Sequence, residues 1–476
     1  MQRALWFGSS TGLDTTFDPA RVPYDPEVGV TPAKIAVNVD ISKTGRVSRR
    51  KGWENTVITD ACHSLFCDGG DAFFVTGDAL KMLAPDMSVT NLRNITVNAP
   101  VGFEQIGSRT FYTNGRENGF ILNGKSYGWN QAVPNQKDST IIYSPPPVGT
   151  LLGYYKGRIY VAQQHIVWYS EANNLNTFNL KKYLAFSSSV TMFKGVSNGV
   201  WLGTENQILF LRGDSPDNLE QQRKALTGVI PGSDTYVDCT SIPGLADEYG
   251  QQVNGVGVLF CTPKGIYIGT ESGKLMQLSK GKLTIPKSLM GAGVCIGNRY
   301  IASLGDSLYT NRLAICQQVI TPAISQYKNY SFNSFAVIGE NTYGANTNGI
   351  FKLDMADNDV SSTTSIAVIE AHYESVLTDF GIKAEKRVRK CNGTLEANGE
   401  LRFSFKSNEA HEIVQHTVPA STDNQQHSVE IPVGRSIKGR FYNFTIQNIN
   451  GADFSVDNLE AFIDVLSRKP EKRGSN

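Results

Sequence analysis

The sequence predicts an all-β chain: a six- or seven-bladed β-propeller with an extended N-terminal strap and a C-terminal β-sandwich. Three observations point there. A hairpin pattern recurs along the middle of the chain. The composition favours strands and turns, with 45 Gly, 19 Tyr and 23 Phe but only 19% charged residues. No segment beyond a few turns keeps the apolar period of a helix. At 476 residues the chain also exceeds the size at which one core keeps growing, so two or more domains are expected.

The repeat unit is a Gly or turn, a short apolar strand, a polar turn and a second apolar strand. Copies run over 70–83, 109–122, 157–169, 199–211 and 265–278, with weaker ones over 299–309 and 341–353. Gly199-Val-Trp-Leu-Gly-Thr-Glu205 and Gly265-Ile-Tyr-Ile-Gly-Thr-Glu271 are nearly superposable. Each copy places Gly, Asn or Asp where a tight turn needs a positive φ. An apolar run such as Leu151-Leu152 or Phe335 to Ile338 precedes most copies and supplies a further strand. Three or four antiparallel strands recurring every 35–50 residues or so is the spacing of a propeller blade. One blade cannot bury both its faces, whereas a ring of blades does.

The expected domains are 1–60, a strap and ring-closing hairpin; 61–361, the propeller; and 362–476, a sandwich with a loose tail. Pro19, Pro23, Pro26 and Pro32 mark the strap. The hairpin Ala36 to Trp53, turning at Lys43-Thr-Gly45, is expected to pair with a late blade. Residues 212–250 carry Pro216, Pro231 and Pro243 with polar Glu220-Gln-Gln222, and read as an inserted loop or arm. After 362 alternating strands continue without the repeat, separated by Asn398-Gly399 and Asn450-Gly451. A separate sandwich fits them. The tail Arg468 to Asn476 is polar.

Composition excludes several functions. Lys and Arg number 45 and Asp and Glu 44, a formal charge of +1, so no global field favours nucleic acid. Seven scattered Cys, several in apolar runs such as Val258-Leu-Phe-Cys261, read as buried thiols from a reducing compartment. No run reaches the roughly 18 apolar residues of a membrane span, and the N-terminus lacks a secretory apolar stretch. A soluble, unprocessed protein is expected.

Catalytic patterns are missing. No phosphate loop and no Gly-x-Ser-x-Gly elbow occurs. Of six His, only His411, His416 and His427 cluster, as strand residues rather than a zinc site, and Cys62 and Cys67 lack a partner pair. Paired carboxylates on adjacent blades would suit a glycosidase. The candidates Asp78, Glu205, Glu271 and Asp306 sit in hairpin turns, where acids are turn formers. No enzyme, metal or cofactor is expected.

Asn38-Val-Asp-Ile41, Gly45-Arg46 and Arg49-Arg-Lys-Gly-Trp53 resemble the N-terminal signature of the tail-nozzle, or packaged-DNA-stabilisation, proteins of short-tailed bacteriophages. Val167-Trp-Tyr-Ser-Glu171, Phe178, Gly199 to Thr204 and Phe210-Leu-Arg-Gly213 resemble later blades of that family. Val433-Gly-Arg435, Gly439-Arg-Phe-Tyr442, Gly451-Ala-Asp-Phe454 and Leu466-Ser-Arg468 resemble its terminal sandwich. The motifs are short and scattered over most of the chain; their order carries the resemblance.

The resemblance implies a structural virion protein, assembled in the host bacterial cytoplasm. It implies a homo-oligomer, a hexameric ring below the portal and adaptor, that extends the DNA channel, retains packaged DNA and opens for ejection. Arg46, Arg49, Arg50 and Lys51 form the densest basic cluster. Facing a channel, they would make transient non-specific contact with double-stranded DNA. A solvated hairpin or an inter-subunit salt-bridge patch is the plainer alternative. Rival readings are a tail-fibre or receptor-binding adhesin and, behind it, a propeller glycosidase.

Overall fold

The computed structural model describes the chain except residues 16–23, 131–142, 243–244, 247–249, 280–281, 284, 287–289, 298, 306, 317–318, 363–364, 410–411, 422, 424 and 467–476; over 307–322 it describes the backbone alone. Pro19, Pro23, Pro243, Asp306, His411 and the tail from Arg468 thus lie outside the described residues.

Alternating side chains on short runs, cut by turns with Gly or Asn at positive φ, produce seven antiparallel four-stranded units. Blade 1 is Cys62–Cys67, Ala72–Thr76, Ala79–Leu83 and Val89–Asn94. Blade 2 is Gly102–Ile106, Arg109–Thr113, Asn118–Leu122 and Lys125–Gly128. Blade 3 is Leu151–Tyr155, Arg158–Gln163, Ile166–Glu171 and Asn174–Ala185. Blade 4 is Val190–Val196, Gly199–Thr204, Ile208–Arg212 and Glu220–Ala225. Blade 5 is Thr235–Asp238, Val256–Thr262, Gly265–Gly269 and Leu275–Gln277. Blade 6 is Ala292–Ile296, Arg299–Leu304, Ser307–Cys316 and Val319–Tyr327. Blade 7 takes Ser334–Ile338, Asn341–Asn346 and Gly349–Ala356 from its own stretch of chain.

The fourth strand of blade 7 comes from the other end of the sequence. Gly52–Asn55 pairs antiparallel with Gly349–Ala356, matching Lys352 with Glu54 and Phe351 with Asn55. Each blade then seals to the next. The Val101 N–H donates to Ser64 Oγ at 2.9 Å, and Phe66 stacks on Phe103. Thr113 Oγ1 donates to Gly149 O at 2.7 Å, Tyr160 stacks on Phe193, and Trp201 Nε1 donates to Thr270 O at 2.9 Å. Tyr300 Oη donates to Ser233 O, and Ile301, Phe332, Phe335 and Phe351 share a core between blades 6 and 7. The Leu65 N–H donates to Ser334 Oγ at 2.9 Å and Asn333 Nδ2 to Cys62 O at 2.8 Å, which returns blade 7 to blade 1. The chain is a seven-bladed β-propeller.

The second unit is a sandwich woven from both termini. One sheet holds Val39–Ile41, Val47–Arg49, Phe454–Val465, Lys386–Ala397 and His427–Pro432, with Gln2–Phe7 added on Phe454–Val465. The other holds Gly12–Leu13, Pro32–Val37, His372–Ser375, Tyr442–Asn448, Leu401–Ser407 and Ile413–Val418. Trp6, Phe405, Phe444, Tyr442 and Phe380 pack edge-on or tilted between them.

Three expectations change. Only the end of the Ala36–Trp53 segment enters a late blade: its Val39–Ile41 and Val47–Arg49 arms lie in a sandwich sheet against Phe454–Val465, whereas Gly52 and Trp53 begin the strand that closes the ring on blade 7. Residues 1–49 belong with 372–465, because five N-terminal strands fill places in the two sandwich sheets. The 212–238 part of the expected arm is blade instead. Its polar Glu220–Ala225 run is the outer strand of blade 4, and Thr235–Asp238 is the inner strand of blade 5. An outermost strand has one neighbour and water beyond, so polar residues suit it.

Blade 6 and the sandwich share one ten-stranded sheet. Gly12 and Val37 pair parallel with Ile324 and Gln326 of the blade's last strand. The two units are joined through backbone hydrogen bonds, not through a linker.

Candidate functional site

The basic cluster sits where the sandwich meets blades 6 and 7. Arg50 is buried, and its Nη1 and Nη2 donate to Asp359 Oδ1 at 2.8 Å and Oδ2 at 2.6 Å. Its Nε donates to Asn38 Oδ1 at 3.0 Å, and the guanidinium lies over the rings of Tyr327 and Tyr330. Arg49 is also buried and reaches Asp453 and Asp357. Arg46 pairs with Glu396 at 3.1 Å and Asp457 at 2.8 Å. Lys51, half-exposed, pairs with Asp453 at 2.7 Å and Asp357 at 3.0 Å. All four cations are thus met by carboxylates of the same chain. Arg49 and Arg50 present no surface to a channel.

A deeper network adjoins them. Arg299 lies between Asp354, at 2.7 Å, and Asp40, at 3.7 Å, and its Nη2 donates to Tyr327 Oη at 2.7 Å. Tyr327 Oη in turn donates to Asp40. Burial drives the Tyr327 and Tyr330 hydroxyls well above the ordinary tyrosine range, although Arg299 pulls the other way, so both stay protonated.

The propeller axis holds a second cluster that the sequence reading passed over. Glu104, Lys194 and Tyr236 lie on the first strands of blades 2, 4 and 5, while Asp234 precedes that of blade 5. Lys194 Nζ pairs with Asp234 at 3.3 Å and lies 4.9 Å from the centre of the Tyr236 ring. Burial pushes the Glu104 carboxyl up to about 7; Lys194 opposes the shift, and Asp68 of blade 1 and Asp234 add to it. Groups from blades 1, 2, 4 and 5 sense one another only where the innermost strands converge. Burial works against the Lys194 ammonium, yet Asp234, Tyr236 and Glu104 raise its pKa overall. Tyr236 is pushed up to about 12, chiefly by burial. Solvent still reaches the group, since 23% of the Lys194 side chain is exposed. The sequence signal was a lone charge inside an inner apolar strand, as in Met192-Phe-Lys-Gly-Val196.

Of the carboxylates weighed for glycoside cleavage, the three described ones stand in turns of three different blades. Asp78 and Glu205 are exposed on blades 1 and 4, and Glu271 accepts from Ser197 at 3.0 Å. Among the described residues no group of three or more His, Cys, Asp or Glu could hold a metal ion. His427 pairs with Asp423 on the surface at 2.6 Å.

Fold and site together define a seven-bladed propeller locked to a sandwich through a buried ionic joint. No protein-family model and no curated protein matches the chain. Solved structures similar to it include the extracellular domain of BT4673 from B. thetaiotaomicron, at 11% identity over 63% of this chain and 40% of that one, with a TM-score of 0.41. The WD40 domain of Neurospora crassa Pan2 is similar at 9% identity over 62% of this chain and 88% of that one, with a TM-score of 0.39.

Proposed function

We propose that the chain is a structural subunit of a short-tailed bacteriophage tail, of the nozzle type, working in a homo-oligomeric ring of six that extends the DNA channel. The observation that carries this reading is what the resembling residues do. Asn38, Asp40, Arg49 and Arg50, from the N-terminal signature, serve the propeller–sandwich joint, while Gly52 and Trp53 lie in the strand that closes blade 7. Asn38 and Arg50 bind one another, Arg49 binds Asp453, Asp40 binds Tyr327, and Trp53 Nε1 donates to Asn329 O at 3.0 Å. A signature spent on stiffness rather than on a pocket suits a part that bears load within an assembly.

Negative-stain imaging and sedimentation of the purified chain test the reading. Closed six-membered rings, forming with rising concentration or on addition of the portal and adaptor, are expected. A chain that stays monomeric with those partners and adsorbs to host cells by itself would overturn the reading in favour of an adhesin.

A further inference from the structure

A cleft of about 760 Å³ runs between the sandwich and the outer edge of blade 6. Its wall is the outward face of the shared sheet. Gln326, Val37, His372, Gln447 and Arg402 stand directly opposite one another on five neighbouring strands. Directly paired residues share a face, so the row points one way. A bulge between Ala33 and Ile35 brings Lys34 to the same cleft, and Lys328 follows two residues after Gln326.

The charges along this wall are unequally matched. Lys34 pairs with Glu374 at 2.9 Å, and Arg50 at the floor is held by Asp359. Exposed Lys328 and Arg402 have no carboxylate or hydrogen-bond partner for their side chains among the described residues. The His372 Nε2 is buried in the wall without a partner. Glu370 on the rim is the one lining carboxylate besides Asp359. The basic cluster picked out by sequence is spent inside the fold, whereas these two cations are available to a ligand.

The spacing selects the ligand. From the strand bearing Gln326 to that bearing Arg402 is four strand steps, about 19 Å at roughly 4.8 Å each. One phosphate is too small to span it. A nucleic-acid strand rising about 3.4 Å per phosphate places about six phosphates over that length. We propose that this cleft binds the phosphodiester chain of a nucleic acid, with Lys328 and Arg402 as its ligating cations and His372 between them. The inference rests on the tail reading only for the presence of DNA beside the protein.

Full-length protein titrated with short duplex DNA at several salt concentrations tests it, read by fluorescence anisotropy. Affinity should fall as salt rises. The double variant Lys328→Ala/Arg402→Ala should bind about tenfold more weakly and lower the log–log salt slope by about two. Glu370→Gln should bind more tightly than the wild type, because it removes a repelling charge. Both cations are exposed, so circular dichroism should show the double variant folded. Inorganic phosphate and vesicles with phosphate headgroups serve as separate arms. Wild-type affinity in the double variant, or binding to vesicles but not to duplex, overturns the proposal. Rings that form yet leave duplex unbound remove the cleft and keep the tail reading; a persistent monomer that binds duplex through these residues does the reverse.

Discussion

Arg50 and Asp359 form a two-pronged ion pair in which neither side chain is more than 1% exposed. The pair bridges the segment entering the propeller to the one leaving it, 309 residues apart. Removing one partner leaves the other charged in the interior. Asp359→Asn or Arg50→Met should each cost about 3–5 kcal/mol in urea unfolding. Arg50→Lys should not restore the loss, because an ammonium cannot make the fork to both oxygens while also reaching Asn38. A double variant to apolar residues of similar volume should recover much of the stability.

The ring is latched by a strand with no room for a larger side chain. A Cβ on Gly52 would lie 2.1 Å from Asn358 O, a backbone atom that cannot swing aside. Gly52→Val should therefore force Gly52–Asn55 away from Gly349–Ala356 and cost about 1–3 kcal/mol. Hydrogen exchange should show the loss first in blade 7, with blades 2 to 4 little changed.

The blades were legible because hairpin chemistry is local: short apolar runs and positive-φ turn residues lie within a few positions of one another. The same locality misled in places. The two most similar repeat copies occupy different places, Gly199–Thr204 being the second strand of blade 4 and Gly265–Gly269 the third of blade 5. Any adjacent antiparallel pair obeys the same turn rules, so likeness does not give position. The latch strand and the woven sandwich depend on partners some 300 to 460 residues away, for example Gln2 with Ile463 and Gly52 with Ala356. Nothing near Gln2 or Gly52 announces such partners. The basic cluster read as facing a channel, solvent or a neighbouring subunit for the same reason, since Asp357, Asp359, Glu396, Asp453 and Asp457, its partners within the chain, are all distant in sequence.

Glu104 makes the propeller sensitive to pH. Its carboxyl is raised from 4.5 to about 7, first by burial, so the folded state holds a proton that the unfolded state releases between those values. The stabilisation is complete below about pH 4.5 and is lost as pH climbs through about 7. Glu104→Gln should remove this slope and leave the protein about 2 kcal/mol more stable at pH 8 than the wild type, allowing for solvent in the axis. Lys194→Met should raise the Glu104 pKa further, because it deletes the cation that opposes the shift. Carboxyl NMR titration reads both; an unchanged Glu104 midpoint in Lys194→Met would mean the two groups do not meet at the axis.

Lys386 works in the opposite direction. It stands on the inward face of the Lys386–Ala397 strand, fully buried, and its Nζ donates to Arg440 O. Burial lowers its pKa from 10.5 to about 8, with Asp379 and Glu409 pulling upward. Between those values the unfolded chain binds the proton that the folded one has lost. Stability from this group therefore rises with pH from about 8 and levels off above 10.5. At pH 7 the charged amine is carried inside at a cost. Lys386→Met removes that cost and forfeits one hydrogen bond of about 1 kcal/mol, so a net gain of about 2 kcal/mol is expected. The gain should vanish above pH 10.5, where the wild-type amine is neutral in both states. Chemical denaturation at pH 7 and pH 11 distinguishes this from a packing effect, which would be the same at both.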